Sequence, residues 1–331
     1  LRIAVDAMGG DHAPQEVVTG AMQAAPLING SIVLVGDPVR IMAVFDGTLP
    51  SNVHIHPASE VVEMDEKPIE AIRKKKDSSL VVAVKLVKDG EADAVVSAGN
   101  TGAATAASLL AWRQIEGVHR PAIASPMPNK FGQFILLDAG ASPDVDPHHL
   151  LEFALMGLAY AERVMGKTSP NVHLLNIGEE PGKGNAFAKE VHDLLACHDW
   201  FAGNIEGKGI FHENCDVVVC DAFVGNIVLK TAEGVAEFIV DEIRAEVPTG
   251  LARFLYLPMK KIMAPLRKKL DYAEYGGSPL LGLNGTCVIC HGRSNAKAVK
   301  NAILSAAKAV ENDLVGAIKS SFEQESRKES S

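Results

Sequence analysis

The sequence predicts a layered α/β fold built on a mostly parallel sheet. Strand-length runs of Val, Ile and Leu are nearly continuous, the pattern of strands buried on both faces. These runs alternate with helical segments, the pattern of repeated βα units. Each strand also ends in the same way, with a small or acidic residue, a glycine and then a helix.

The elements follow in order. RIAVD (2–6) is a strand that runs into AMGGDHAP (7–14), a loop holding Gly9, Gly10 and Asp11 just after Asp6. SIVLVGD (31–37) is the next strand, and SSLVVAVKLVKDG (78–90) reads as a helix, preceded by the basic run Arg73-Lys74-Lys75-Lys76. ADAVVSAG (92–99) ends in Gly99-Asn100-Thr101-Gly102 and gives way to a helix over ATAASLLAW. FILLDAG ends in Asp138-Ala139-Gly140, VHLLNIG in Asn176-Ile177-Gly178, and CDVVVCD in Asp221 before the helix IVLKTAEGVAEFIVDEI.

This rhythm places the chemistry. Ligands of open α/β sheets gather at the carboxyl ends of the strands, where the sequence puts Asp6, Asn100, Asp138, Asn176, Lys183, Asp221 and Asn226. Helix N-termini there offer N–H groups to anions, and glycines let those groups approach closely. Lys183 sits between Gly182 and Gly184, ahead of Asn185, and suits an anionic ligand. A solvated surface lysine is the plain alternative. No GxxxxGK[ST] motif is present, and the segment from Gly182 to Phe187 starts like GxGxxG but ends in Phe, so a nucleotide fingerprint is not supported.

Composition narrows the class. With 331 residues, 47% hydrophobic and 22% charged, the chain reads as a globular α/β protein. A formal charge of −9 argues against global attraction to nucleic acid. No stretch reads as a signal peptide or a membrane span. Five scattered cysteines do not make a disulfide framework, and Cys287-Val-Ile-Cys290 has no second pair to complete a zinc site. These features fit a reducing cytoplasm.

One segment departs from the rhythm. LARFLYLPMKKIMAPLRKKL (251–270) carries six basic residues and no acidic one. Its apolar positions recur at three- and four-residue steps, and Pro258 and Pro265 interrupt it. An apolar stripe with a basic face fits a helix on an anionic membrane, and also a helix packed on a partner subunit. The end, SSFEQESRKESS, is polar and is expected to be disordered.

Together, AVDAMGGDHAP (4–14), SAGNTGA (97–103), LLDAGA (136–141), LLNIGEEPGKGN (174–185), CDAFVGN (220–226) and YGGSPLLGL (275–283) resemble the bacterial phosphate acyltransferases. The resemblance implies a Rossmann-like three-layer α/β/α fold, similar to phosphotransacetylases and isopropylmalate-type dehydrogenases. It implies one catalytic domain over 1–319, a helical membrane or dimer-contact element over 249–275, and a polar tail over 320–331. The implied reaction moves a fatty acyl group from acyl–acyl carrier protein to inorganic phosphate, without cofactor or metal. The resulting acyl phosphate would feed a glycerol-3-phosphate acyltransferase in phospholipid synthesis.

A cytoplasmic homodimer attached peripherally to the inner face of the membrane is also implied, with Leu251, Phe254, Leu255, Leu257, Lys260 and Lys261 in contact with lipid. For that reaction Lys183 and Asn226 are the expected catalytic pair. Asp6, Gly9, Gly10, Asp11, Gly99, Asn100, Thr101, Gly102, Asp138, Asn176, Gly178, Gly184, Asn185, Asp221 and Gly225 are expected to bind substrate. Asp6 and Asp221 either orient neighbouring groups or accept a proton. Three alternatives stand beside this reading: a short-chain phosphotransacetylase, an NAD- and metal-dependent hydroxyacid dehydrogenase, and a membrane scaffold that only binds carrier protein.

Overall fold

The computed structural model describes residues 1–45, 48–245, 269 and 271–329. The first part of the chain forms β1 (Arg2–Asp6), α1 (Gln15–Ala24), β2 (Ser31–Gly36), α2 (Pro38–Met42), β3 (Val53–Pro57), α3 (Pro68–Lys74), α4 (Ser79–Lys88), β4 (Ala94–Ser97), α5 (Thr101–Trp112) and β5 (Ala122–Ile123). The middle forms β6 (Ser125–Asn129), β7 (Gly132–Leu137), α6 (Pro147–Arg163), β8 (Val172–Asn176), α7 (Ala186–Leu195), β9 (Phe201–Glu206), α8 (Gly209–His212), β10 (Val217–Val219) and α9 (Ala222–Ala245). The last part forms β11 (Ser278–Leu281), β12 (Thr286–Ile289), α10 (Ala296–Glu311) and α11 (Leu314–Glu329).

The strands make two sheets. One has the order β3-β2-β1-β4-β12-β11-β5, and the other β6-β7-β10-β8-β9. The first is parallel except for β11, which runs against both its neighbours, and the second is parallel except for β6. The chain crosses between sheets at Ala124 and returns to the first sheet with β11. β6 contains Pro126 and Pro128, and its edge position tolerates their missing N–H groups.

Both sheets are covered on both faces, which explains their continuous apolar strands. Ile3 and Val5 point toward α1 and α10, while Ala4 and Val95 point toward α4 and α5. Leu137 and Val217 pack with α6 and α11, whereas Leu136 and Val218 pack with α8 and the start of α9. The alternation is the two-residue period of a strand.

The polar end is helical through Glu329, which corrects the expectation of disorder. Leu314, Ile318 and Phe322 recur at four-residue steps and are buried in the core beneath α6. Of the segment 249–275, only 269 and 271–275 are described. The expected lipid contacts Leu251, Phe254, Leu255, Leu257, Lys260 and Lys261 lie outside the described residues.

Candidate active site

A cavity of about 890 Å³ lies between the two sheets. Residues just past the carboxyl ends of β4, β7 and β12 line it, together with the crossing from β5 to β6 and one side of α9. This is where the topology of an α/β protein puts a ligand. Its walls are mostly apolar, with Ile123, Met127, Ile210, Leu229, Val235 and Ile239 among them. Thr101, Ser125, Asn226, Lys230, Ser278 and His291 supply polar groups. Apolar walls with a few converging polar groups characterise small-molecule sites.

Among the expected site residues, Thr101 and Asn226 line this cavity. Asn226 is exposed in the first turns of α9, one residue after buried Gly225. A Cβ on Gly225 would collide with the Asp138 carbonyl oxygen and lie 3.0 Å from Cys220 Sγ. Glycine therefore lets α9 press against the end of β7, and that contact sets the position of Asn226. Asp221 starts the helix, its carboxylate accepting the Val224 N–H at 2.9 Å. Asp221 thus caps the helix.

The opening loop is a wedge between strand ends. Asp6 is buried, and its carboxylate accepts hydrogen bonds from Ser79 Oγ at 2.5 Å and Ser97 Oγ at 2.7 Å. Burial pushes its pKa up, against the hydrogen bonds of Ser79, Ser97 and the Met8 and Gly9 backbone. A Cβ on Gly9 would overlap the Asp6 carboxylate and meet the Gly99 nitrogen at 2.9 Å. Gly10 has φ +108°, with the carbonyls of Ala98 and Gly292 each 3.0 Å from where a Cβ would stand. Asp11 donates its N–H to the Gly292 carbonyl at 2.8 Å, and its side chain is exposed. Here the glycines serve the packing of three strand-end loops against one another.

Asp138 and Asn100 also hold the frame rather than facing the cavity. Asp138 is fully buried, and one of its carboxylate oxygens accepts the N–H groups of Ile123, Gly140 and Ala141 at 2.9–3.0 Å. The other oxygen accepts the Ser142 N–H at 2.7 Å, and burial pushes the pKa up. Asn100 caps α5 through the Ala103 N–H at 3.0 Å and donates its amide to the carbonyls of Met64 at 3.0 Å and Glu66 at 3.1 Å. Substrate contact was expected of Asp6, Asp138 and Asn100. Their side chains carry backbone and side-chain hydrogen bonds within the fold. Gly102, in the first turn of α5, abuts Pro68.

The loop after β8 is separate from the cavity lining. Asn176 donates to the Lys183 carbonyl at 3.2 Å, and Gly184 (φ +92°) packs on the Asn176 side chain. Asn185 caps α7 through the Ala188 N–H at 2.8 Å, and Gly178 lies against the Lys183 side chain. The Lys183 ammonium is half-exposed, 3.9 Å from Glu180.

Two cavity residues were missed by sequence reasoning. Lys230 Nζ donates to Glu233 at 2.9 Å. His291 Nδ1 accepts the Arg293 N–H at 3.3 Å, which leaves the proton of a neutral ring on Nε2. Burial first and then Lys230 and Arg293 lower the His291 pKa, against Glu233 and Asp11. The signal for His291 was present: Cys290-His291-Gly292 ends an apolar strand in the same way as the other loops. Lys230 lies within an ordinary amphipathic helix and carried none. Cys287 and Cys290 are buried, each thiol pushed up to about 12, first by burial.

A family model described as Fatty acid synthesis protein matches residues 1–316. The phosphate acyltransferase of Desulfitobacterium hafniense (strain DSM 10664 / DCB-2) is 50% identical over 323 residues, covering 96% of this chain and 97% of that protein. The phosphate acyltransferase of Brevibacillus brevis (strain 47 / JCM 6285 / NBRC 100599) is 45% identical over 336 residues, covering all of both. Among solved structures, a phosphotransacetylase from Streptococcus pyogenes aligns with a TM-score of 0.60 at 18% identity, covering 94% of each chain. The EutD phosphotransacetylase from Staphylococcus aureus gives 0.58 at 16%, again covering 94% of each. At these identities the structural likeness concerns the fold.

Proposed function

The chain belongs to the phosphate acyltransferase family, and from that premise we propose that it transfers a fatty acyl group from acyl–acyl carrier protein to inorganic phosphate. The observation that carries this reading is the cavity: an apolar volume of about 890 Å³ suited to an acyl chain, with Asn226, Thr101, Lys230 and His291 among its polar groups.

A phosphate oxygen attacks the thioester carbonyl carbon. The new C–O bond forms as the C–S bond breaks, and the proton of hydrogen phosphate ends on the carrier thiol. Bound phosphate needs no enzyme nucleophile if position and charge are supplied. Asn226 donates an amide hydrogen to the carbonyl oxygen as it gains charge. The Thr101 hydroxyl and the neutral His291 ring donate to phosphate, and Lys230 offsets its charge. Lys183 adds positive potential from the loop after β8, outside the cavity wall. Asp6, Asp138 and Asn100 keep the strand-end loops in register.

The product is a reactive mixed anhydride, and an acyltransferase acting on glycerol 3-phosphate is the consumer this reading names. A homodimer at an anionic membrane surface completes the proposal. Large exposed apolar residues on α9, including Phe223, Ile227 and Phe238, and the basic apolar sequence 251–270 support it. No helix among the described residues is long and apolar enough to cross a membrane.

The structural neighbours are named phosphotransacetylases, and a short-chain phosphotransacetylase is the second reading. Comparing palmitoyl–acyl carrier protein with acetyl-coenzyme A as acyl donors tests the two. Preference for the long-chain carrier thioester supports the proposal, and preference for acetyl-coenzyme A replaces it with the second reading.

A further inference from the structure

The basic run at 73–76 has no part in the chemistry above. It ends α3, whose start packs against the chain neighbours of cavity-lining residues. Asn100 holds the carbonyls of Met64 and Glu66 by its side-chain amide. A Cβ on Gly292 would meet Met64 Cε at 2.7 Å, and a Cβ on Gly102 would meet Pro68 Cγ at 2.7 Å. The chain neighbours of these glycines, His291 and Thr101, line the cavity. Residues 64–68 are therefore one residue removed from the cavity lining, and α3 begins within them. Seven helical residues span roughly 10 Å, so the end of α3 stays within reach of a flexible thiol arm entering the cavity.

The cations on and beside α3 divide by role. Lys75 turns inward, with its ammonium 2.6 Å from both the Val61 carbonyl and Glu66. Lys67 and Lys74 flank Glu70 at 3.6 and 3.7 Å, pairs so exposed that solvent screens them. Arg73 and Lys76 are exposed and enter no ion pair among the described residues. Ile69, one helical turn before Arg73, is 54% exposed, and Met64, ahead of α3, is 43% exposed. Apolar side chains framed by cations make a docking surface for an acidic, partly apolar helix. The chain as a whole carries −9, which repels an acidic partner, so a local positive patch has to guide the approach.

We propose that the face of α3 carrying Ile69 and Arg73, with Lys76 just beyond its end, docks the acidic carrier protein and directs its acyl-thioester arm past Met64–Pro68 into the cavity. The proposal rests on the acyl-transfer reading above and assigns that reaction its partner surface.

The test is the double variant Arg73→Glu/Lys76→Glu, assayed with palmitoyl–acyl carrier protein and with palmitoyl-pantetheine, which has no protein to dock. Lys85→Glu/Lys88→Glu is the control. It makes the same change in net charge at the end of α4 that leads into the start of β4, opposite the cavity. The expected result is a KM for the carrier substrate raised about 10-fold or more, with kcat and the pantetheine reaction within about two-fold of wild type. The control should match wild type, and added salt should raise the KM of wild type more than that of the variant. A carrier KM within about two-fold of wild type would overturn the proposal. So would equal losses with both substrates, or a loss confined to binding of anionic vesicles. Absence of phosphate-dependent turnover by wild type with either thioester would remove the acyl-transfer reading itself.

Discussion

Gly225→Ala tests how the fold builds the site. The added Cβ collides with the Asp138 carbonyl oxygen, a backbone atom of a residue whose side-chain carboxylate is held by four backbone N–H groups. The oxygen cannot step aside, so the first turn of α9 must retreat by roughly 1 Å. Overpacking of this kind costs about 1–3 kcal/mol, a fall in Tm of several degrees for a chain of this size. The effect on rate is larger, because Asn226 is the next residue and moves with the turn. A misplacement of about 1 Å can cost 100-fold in rate. Differential scanning calorimetry and phosphate-dependent thiol release should together show a folded protein with turnover lowered about 100-fold. Wild-type turnover in that variant would refute the reasoning that links β7, Gly225 and Asn226.

Three further outcomes follow from the same structure and a fourth from the sequence. Asn226→Ala should lower kcat about 100-fold with little change in KM, whereas Lys183→Ala, outside the cavity wall, should act mainly on the KM for phosphate; steady-state kinetics separates them. Lys230→Met removes a cation that lowers the His291 pKa, so an NMR titration should find that value raised; a fall would contradict the geometry. The sign for stability is worked the same way: a histidine held below 6.5 contributes stability above that value and loses it as pH falls through its folded value, so the variant should lose less stability on acidification. Phe322→Ala should cost about 3–5 kcal/mol in chemical denaturation, because Phe322 is 7% exposed and fills the core beneath α6. Leu255→Glu should weaken vesicle flotation more than soluble catalysis, and unchanged flotation would favour a subunit interface for that segment.

The parallel strands were legible because burial on both faces leaves an unbroken apolar run, as in Val217–Val219. β6 was not, because Pro126 and Pro128 read as breakers until the strand is seen to lie at an edge. α11 was misread because its apolar residues stand four apart among charges, and a window opening at residue 320 splits Phe322 from Leu314 and Ile318. At the site, the rule that ligands meet strand ends pointed to some of the loops that line the cavity but could not separate polar side chains that face it from those that build it. Asn226 faces the cavity, and Asp138, with the same kind of sequence context, is turned under its own loop. That difference depends on which N–H groups the loop leaves for the carboxylate, a property of three-dimensional closure. His291 shows the complementary limit. Its sequence context was the same, but the lowering of its pKa depends on burial first and then on Lys230 from another element.

The central claim is that phosphate attacks the acyl thioester directly. Release of carrier-protein thiol from palmitoyl–acyl carrier protein, measured with and without inorganic phosphate and with hydroxylamine trapping of the product, tests it most directly. The account predicts thiol release that requires phosphate, with one hydroxamate trapped for each thiol freed. Thiol release without phosphate, or with no trappable acyl phosphate, would contradict it.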